Sequence, residues 1–225
     1  ARGRLEDRPD AAPERRQRSS ALANFLAASA HLEGAAVEAF VRMADELRAH
    51  GAPTHLVDRA LEAAEDERRH ARMVSRLAGR RGAEVPAVET TPVTSRSLED
   101  MALENVTEGC VRETYGALVG AYQARQAADG DIAEVMTSIA PDELRHASLS
   151  WQVDAWLQSR LDDEARARVE AARTEAMGQL RSELGKRVDP ELTRSAGLPD
   201  AEQAKTLLAR LQDQLTQSSL SKLAN

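Results

Sequence analysis

Cysteine is almost missing from this chain: Cys110 is the single one in 225 residues. One thiol excludes an intrachain disulfide framework, a four-Cys zinc site and a rubredoxin-type iron centre. Aromatic residues are scarce as well, with two each of Trp, Tyr and Phe. β-Branched residues are few beside abundant Ala, Leu, Glu and Arg, a balance that favours an all-α protein. No stretch approaches 18 consecutive apolar residues, so the sequence predicts no membrane span. Positive charge is not in surplus either. The formal net charge is −7, which argues against a nucleic-acid binder driven by counterion release. The expected location is the cytoplasm, although a chain that opens on Ala leaves room for a missing upstream signal.

What is present is helical periodicity. The length fits one domain with a small appendage and is enough to bury a sizeable core. Residues 1–18, rich in Arg, Pro and Asp, read as a disordered or loosely docked arm. A first helix is predicted from Ser19 or Ser20 to about Ala49, its apolar stripe running Leu22, Leu26, Ala30, Val37, Phe40, Ala44, Leu47. Gly51 ends it. A second helix is predicted from Thr54 to about Arg80. A third starts at the cap-like Ser97 and Asp100 and reaches about Ala128. A fourth runs from about Asp131 to Arg160, bent at Pro141. A fifth is expected over 162–185 and a sixth over 200–217, followed by a polar tail. Residues 161–225 thus form a helical extension to a core domain over 19–160.

The segment between the second and third helices carries information. A 27-residue helix is about 40 Å long, and fifteen extended residues reach about 50 Å. Residues 82–96 can therefore cross the full length of a bundle. Two helical hairpins joined by one long crossover are expected.

An internal repeat supports two hairpins. Glu33-Gly34-Ala35-Ala36-Val37-Glu38-Ala39-Phe40 recurs as Glu108-Gly109-Cys110-Val111-Arg112-Glu113-Thr114-Tyr115. Asp66-Glu67-Arg68-Arg69-His70 recurs as Asp142-Glu143-Leu144-Arg145-His146. Residues three apart share one helical face. Glu67 with His70, and Glu143 with His146, can each present a carboxylate and an imidazole to a metal. Glu33 and Glu108 supply two more carboxylates. Four carboxylates and two imidazoles make up the ligand set of a di-iron or di-manganese site in a bundle core. They also neutralise two divalent cations. Glu38 and Glu113 recur as well, so recurrence does not choose between them and Glu33 and Glu108. Face geometry favours the latter pair: Glu33 shares the buried stripe, whereas Glu38 aligns with Arg42 and Asp45.

These residues resemble the ferritin-like di-iron carboxylate superfamily over roughly residues 20–160. The superfamily includes ferritins, bacterioferritins, rubrerythrins and bacterial multicomponent monooxygenases. The repeated Asp-Glu-x-Arg-His is similar to the motif of the monooxygenase subunits. The overall pattern, including Glu108-Gly109-Cys110 and residues 139–151, is closer to bacterial proteins known only as ferritin-like domain proteins, a match that implies no substrate. The chain departs from rubrerythrins in lacking Cys-x-x-Cys pairs and from minimal ferritin subunits in its extra C-terminal helices. The resemblance implies that Asp66 and Asp142 hydrogen-bond ligand histidines on the facing helix, with Arg69 and Arg145 as anchors for those carboxylates. It places an aromatic seven residues after the helix-one ligand, where Phe40 and Tyr115 stand. Tyr115 is a candidate catalytic residue, through redox chemistry or a bond to a ligand carboxylate, or else a core aromatic. His31, His50 and His55 have no repeat partners and read as surface residues.

The expected function is a di-iron oxidoreductase, manganese being the alternative metal, that activates O2 or peroxide with a small organic substrate and an electron donor as partners. A ferroxidase or iron-storage subunit is the second reading, and a metal-stapled interaction protein the third. The charge-rich fifth helix reads as a solvated face or as a contact in a homo-oligomer.

Overall fold

The computed structural model describes residues 20–89 and 96–223, the side chains of 213–223 excepted. The arm expected over residues 1–18 lies outside them. Among the described residues there are seven helices and no strand, an all-α bundle. Helix α1 spans Ala21–Ala49 and α2 spans Thr54–Arg80. Helix α3 is continuous through three stretches: Leu98–Glu104, a π-helical Asn105–Glu113, and Thr114–Gln126. Helix α4 spans Gly130–Gln158, α5 Asp163–Leu184, α6 Pro190–Ser195 and α7 Ala201–Leu223.

Local chemistry sets the boundaries. Ser20 Oγ accepts the Ala23 amide at 3.1 Å, and Gly51 takes φ +70° after α1. Ser97 and Asp162 cap α3 and α5 in the same way, and Asp129 accepts two amides at the start of α4. Helix α4 stays one helix across Pro141. Two expectations at the C-terminal end are corrected. The chain forms a short extra helix, α6, because Asp189 caps it at 2.8 Å and Pro190 pre-sets its first turn. The last helix continues to Leu223 where a polar tail was expected after 217.

Helices α1 and α2 pack as one hairpin and α3 and α4 as another, with α2 against α4. The connector runs beside α1. His31 Nδ1 lies 3.2 Å from the Pro86 carbonyl, Val88 stands over Gly34, and His50 Nε2 lies 2.8 Å from the Arg96 carbonyl. Its described parts therefore lie against the middle of α1 and, at Arg96, against its C-terminal end where α3 starts, as a crossover requires. Two of the histidines expected at the surface, His31 and His50, brace this segment; His55 is exposed.

The core divides into layers. One apolar cluster holds Phe40, Leu47, Leu56, Met101, Val106, Leu149, Val153 and Leu157. Another, toward the other end, holds Leu22, Leu26, Leu77, Ile132 and Ile139. Each fully buried Leu contributes about 2 kcal/mol, which offsets the cost of a polar layer between them. That layer is where the stripes of α1, α2 and α4 turn from apolar to acidic and back. A third cluster joins the outer side of α3 to α5 and α7 through Val111, Tyr115, Leu180, Leu208 and Leu211.

Candidate metal centre

The polar layer brings Glu33 from α1, Glu67 and His70 from α2, Glu113 from α3, and Glu143 and His146 from α4 together. They form two groups whose ligand atoms converge within 4.8 Å of one another: Glu33, Glu67, His70 and Glu143, and Glu67, Glu113, Glu143 and His146. Glu67 and Glu143 belong to both. His70 Nδ1 faces Glu143 Oε1 at 3.0 Å and Glu33 Oε2 at 3.5 Å. His146 Nδ1 faces Glu67 Oε1 at 3.1 Å and Glu113 Oε1 at 3.7 Å.

Outside this ring a second set of charges holds the imidazoles. His70 Nε2 is 3.1 Å from Asp142 Oδ2 on the facing helix, and His146 Nε2 faces Asp66 Oδ2 at 3.4 Å. Arg69 bonds Asp66 at 2.9 Å and also Asp142; Arg145 bonds Asp66 at 3.0 Å and also Asp142. The two halves of the repeat are thereby crossed: each Asp serves the histidine of the other hairpin.

This geometry bears on what fills the ring. An imidazole whose Nε2–H donates to Asp142 presents a bare lone pair at Nδ1. That lone pair points at carboxylate oxygens, which is repulsive unless a cation or proton lies between. Glu67 Oε2, His70 Nδ1, Glu113 Oε1, Glu143 Oε1 and His146 Nδ1 are all buried without a hydrogen-bond partner. Orphaned buried atoms converging on one point need a partner, and these buried groups could hold a metal ion.

The metal-free electrostatics show the same strain. Burial pushes the Glu33 carboxyl up to about 8, despite the nearness of His70 at 3.5 Å. Burial also raises Glu113 well above the usual range, reinforced by repulsion from Glu143 and Glu67. Burial would lower His70, but Glu143, Glu33, Glu67 and Asp142 raise it to about 12. Burial would raise Glu67, yet His146, His70 and Glu33 bring it down to about 2.

Two expectations are corrected. Glu108 is not in the ring; its side chain is 62% exposed and sits 3.7 Å from Arg112. Glu113 takes the place expected for it. The cause is the π-helical stretch over Asn105–Glu113, which widens α3 and rotates its later turns relative to α1. Tyr115 is not at the centre either. It lies two residues beyond Glu113, about 200° round the helix, and packs in the outer cluster against α5 and α7. Its hydroxyl is buried without a partner, and burial pushes its pKa up to about 12.

The residues holding the π stretch were missed by the sequence reading. Asn105 Nδ2 donates to the Ser150 carbonyl at 3.0 Å. Gly109 lets α4 approach so closely that a Cβ there would lie 2.8 Å from Ser150 Cβ and 2.9 Å from Asn105 Oδ1. The buried pair Asn105 and Val106 is followed five residues later by the buried pair Cys110 and Val111, and this is the signal: an α-helix repeats its buried face at three or four. Gly109→Ala is expected to destabilise the protein by about 1–3 kcal/mol through overpacking, read as a lowered urea midpoint at unchanged slope.

Beside the ring, between α1 and α3, lies a cavity of about 530 Å³ that reaches Glu33, Glu67, Glu113 and Glu143. No described helix is long and apolar enough to cross a membrane. Compared with protein-family models, curated proteins and solved structures, the chain matches none.

Proposed function

We propose that the chain is a ferritin-like di-metal carboxylate protein that holds two iron ions, with manganese as the alternative, and acts as an oxidoreductase on O2 or peroxide. The observation that carries this reading is the pair of His–carboxylate groups sharing Glu67 and Glu143. Glu33 and His70 would hold one ion and Glu113 and His146 the other, with Glu67 and Glu143 within reach of both. Four carboxylates balance two divalent charges, so the buried layer becomes neutral. A ligand set rich in oxygen with two imidazoles suits iron or manganese. When bound, the ions supply the electrons that reduce O2 or peroxide.

The chain's own residues do the rest. Asp142 holds the proton of His70 on Nε2, and Asp66 faces the corresponding nitrogen of His146, leaving each Nδ1 free as a ligand. Arg69 and Arg145 each bond both Asp side chains and aim them inward. The apolar layers close the ring above and below, and the cavity beside it is its open side.

An iron-storage role uses the same ligands, and loading separates the two. Anaerobic protein given Fe(II) and then O2 is expected to stop oxidising iron after about two ions per chain, because the iron stays as cofactor, unless a reductant or organic substrate is added. Continued uptake of dozens of irons with growth of a large mineral-bearing particle, read by light scattering, would establish storage instead.

A further inference from the structure

The carboxylates of Glu33 and Glu113 come from helices that the cavity keeps apart, with small residues such as Ala39 and Gly116 on its two walls. Ligands of one site must hold their places to within about 0.5 Å, so the gap between α1 and α3 has to be fixed from elsewhere. Helix α1 packs along α2 and also meets α6. Toward its C-terminal end an ionic tie joins it to α3. Arg42 meets Glu104 at 2.6 Å, and Arg96 grips Glu46 through two bonds of 2.7 Å and also meets Glu104.

The opposite end of the gap is spanned by residues 189–198 of the C-terminal extension. Glu191 Oε2 accepts the Leu22 amide in the first turn of α1 at 3.3 Å. On the other side, successive carbonyls at the end of α6 turn to the second hairpin. The Arg194 carbonyl accepts the Ala128 amide at 3.0 Å, and the Ser195 carbonyl the Asp129 amide at 3.2 Å. The Ala196 carbonyl accepts from the buried Gln123 side-chain amide at 2.9 Å. These are the carbonyls that a helix end leaves without internal partners. Ala196 is fully buried in the cluster of Leu22, Leu77 and Ile132, with Leu192 and Leu198 packed against it. Gly197 follows at φ +66°, so near the end of α3 that a Cβ there would lie 2.5 Å from the Ala127 nitrogen.

The two ties stand at matched levels. Leu22 lies about 16 Å along α1 from Glu33, and Gln123 about 15 Å along α3 from Glu113, at about 1.5 Å per residue. Arg42 and Glu104 each stand nine residues to the other side. The ring is thus bracketed near the middle of a span held at both ends. We infer that residues 189–198 are a strap that sets the separation of α1 and α3, and that Gly197, Gln123 and Glu191 are positioning residues for Glu33 and Glu113. What the separation serves rests on the two-metal reading; the strap's grip on the two hairpins does not.

The test uses the full chain and three variants. Asn adopts a positive φ at little cost, so Gly197→Asn keeps the turn and adds the clash with Ala127. Gln123→Met removes one strap bond at similar volume. Gly51→Asn is the control, since Gly51 takes φ +70° with nothing within 4 Å of a Cβ. Circular dichroism well below the melting temperature establishes that each variant is helical. Gly197→Asn and Gln123→Met are expected to speed amide exchange at Leu22, Ala128 and Asp129. They are also expected to weaken Mn(II) binding by at least about tenfold and to shift the visible bands of the Co(II)-loaded protein. Gly51→Asn is expected to change none of these. A folded chain that has only lost stability keeps its Mn(II) affinity and its Co(II) spectrum. Faster exchange in Gln123→Met with both unchanged would therefore overturn the inference, and so would unchanged exchange in both strap variants. If Gly197→Asn does not fold, Gln123→Met alone decides. Wild type that takes up neither Mn(II) nor Co(II) would sink the two-metal reading and this inference with it, whereas wild-type uptake with full affinity in the variants sinks the inference alone.

Discussion

On the proposed two-metal reading, Glu113→Ala is expected to abolish binding at one position, while Glu108→Ala leaves metal content unchanged. Removing a residue that merely orients a ligand costs about 10–100-fold in metal affinity, and removing the ligand oxygen itself costs more. Glu108 is exposed and paired with Arg112, so its loss reaches no ring atom. Elemental analysis after Mn(II) or Fe(II) loading and desalting reads the outcome. A second measurement gives the opposite sign. In the metal-free protein Glu113 is a buried carboxyl held well above its usual pKa by burial and by Glu143 and Glu67. Its removal relieves that strain, so metal-free Glu113→Ala should melt no lower than metal-free wild type. Loss of metal together with loss of metal-free stability would mean that the substitution acts on packing and that Glu113 is not a ligand.

The contrast between Glu108 and Glu113 also marks where the sequence stops being legible. The helical class and the face carrying Glu33 follow from periodicity, because α1 is a regular helix whose stripe can be counted at 3.6 residues per turn. Glu67, His70, Glu143 and His146 follow from a spacing of three on regular helices. The crossed contacts of Asp66 and Asp142 with the opposite histidines need the two hairpins to face each other, which the resemblance implies but periodicity alone does not. Helix α3 breaks the counting. Its π stretch is specified by tertiary contacts, the Asn105 amide on the Ser150 carbonyl and the close approach at Gly109, and neither partner is near in sequence. Carrying the face of α1 across the repeat onto α3 therefore selects Glu108 and turns Tyr115 inward. The lengthened spacing of Val106 and Val111 is the trace the π stretch leaves in the sequence. The cavity is equally hidden there, because small residues such as Ala39 and Gly116 look the same whether two helices touch or stand apart.

Metal loading is expected to raise the melting temperature, and by more at pH 8 than at pH 5. A carboxyl whose folded pKa is raised stabilises the fold fully below its unfolded value, and that contribution disappears as pH rises through the folded one. For Glu33 the window runs from 4.5 to about 8. Glu113 acts in the same direction. His70, raised from 6.5 to about 12, loses its contribution as pH rises above 6.5. Glu67 works in the opposite sense, but its window lies below 4.5, toward 2. Between pH 5 and pH 8 the shifts agree, so the metal-free protein should lose stability as pH rises. The loaded protein behaves differently, because bound cations hold the carboxylates ionised and compete with protons for them. Its stability should hold or increase over the same range. At about 2–4 °C per kcal/mol for a chain of this size, the gap between loaded and metal-free protein should widen by more than about 5 °C across the window. Scanning calorimetry of both forms at pH 5, 6.5 and 8 reads it directly. A gap that stays constant or narrows with rising pH would show that the buried carboxylates do not bind the metal that stabilises the protein.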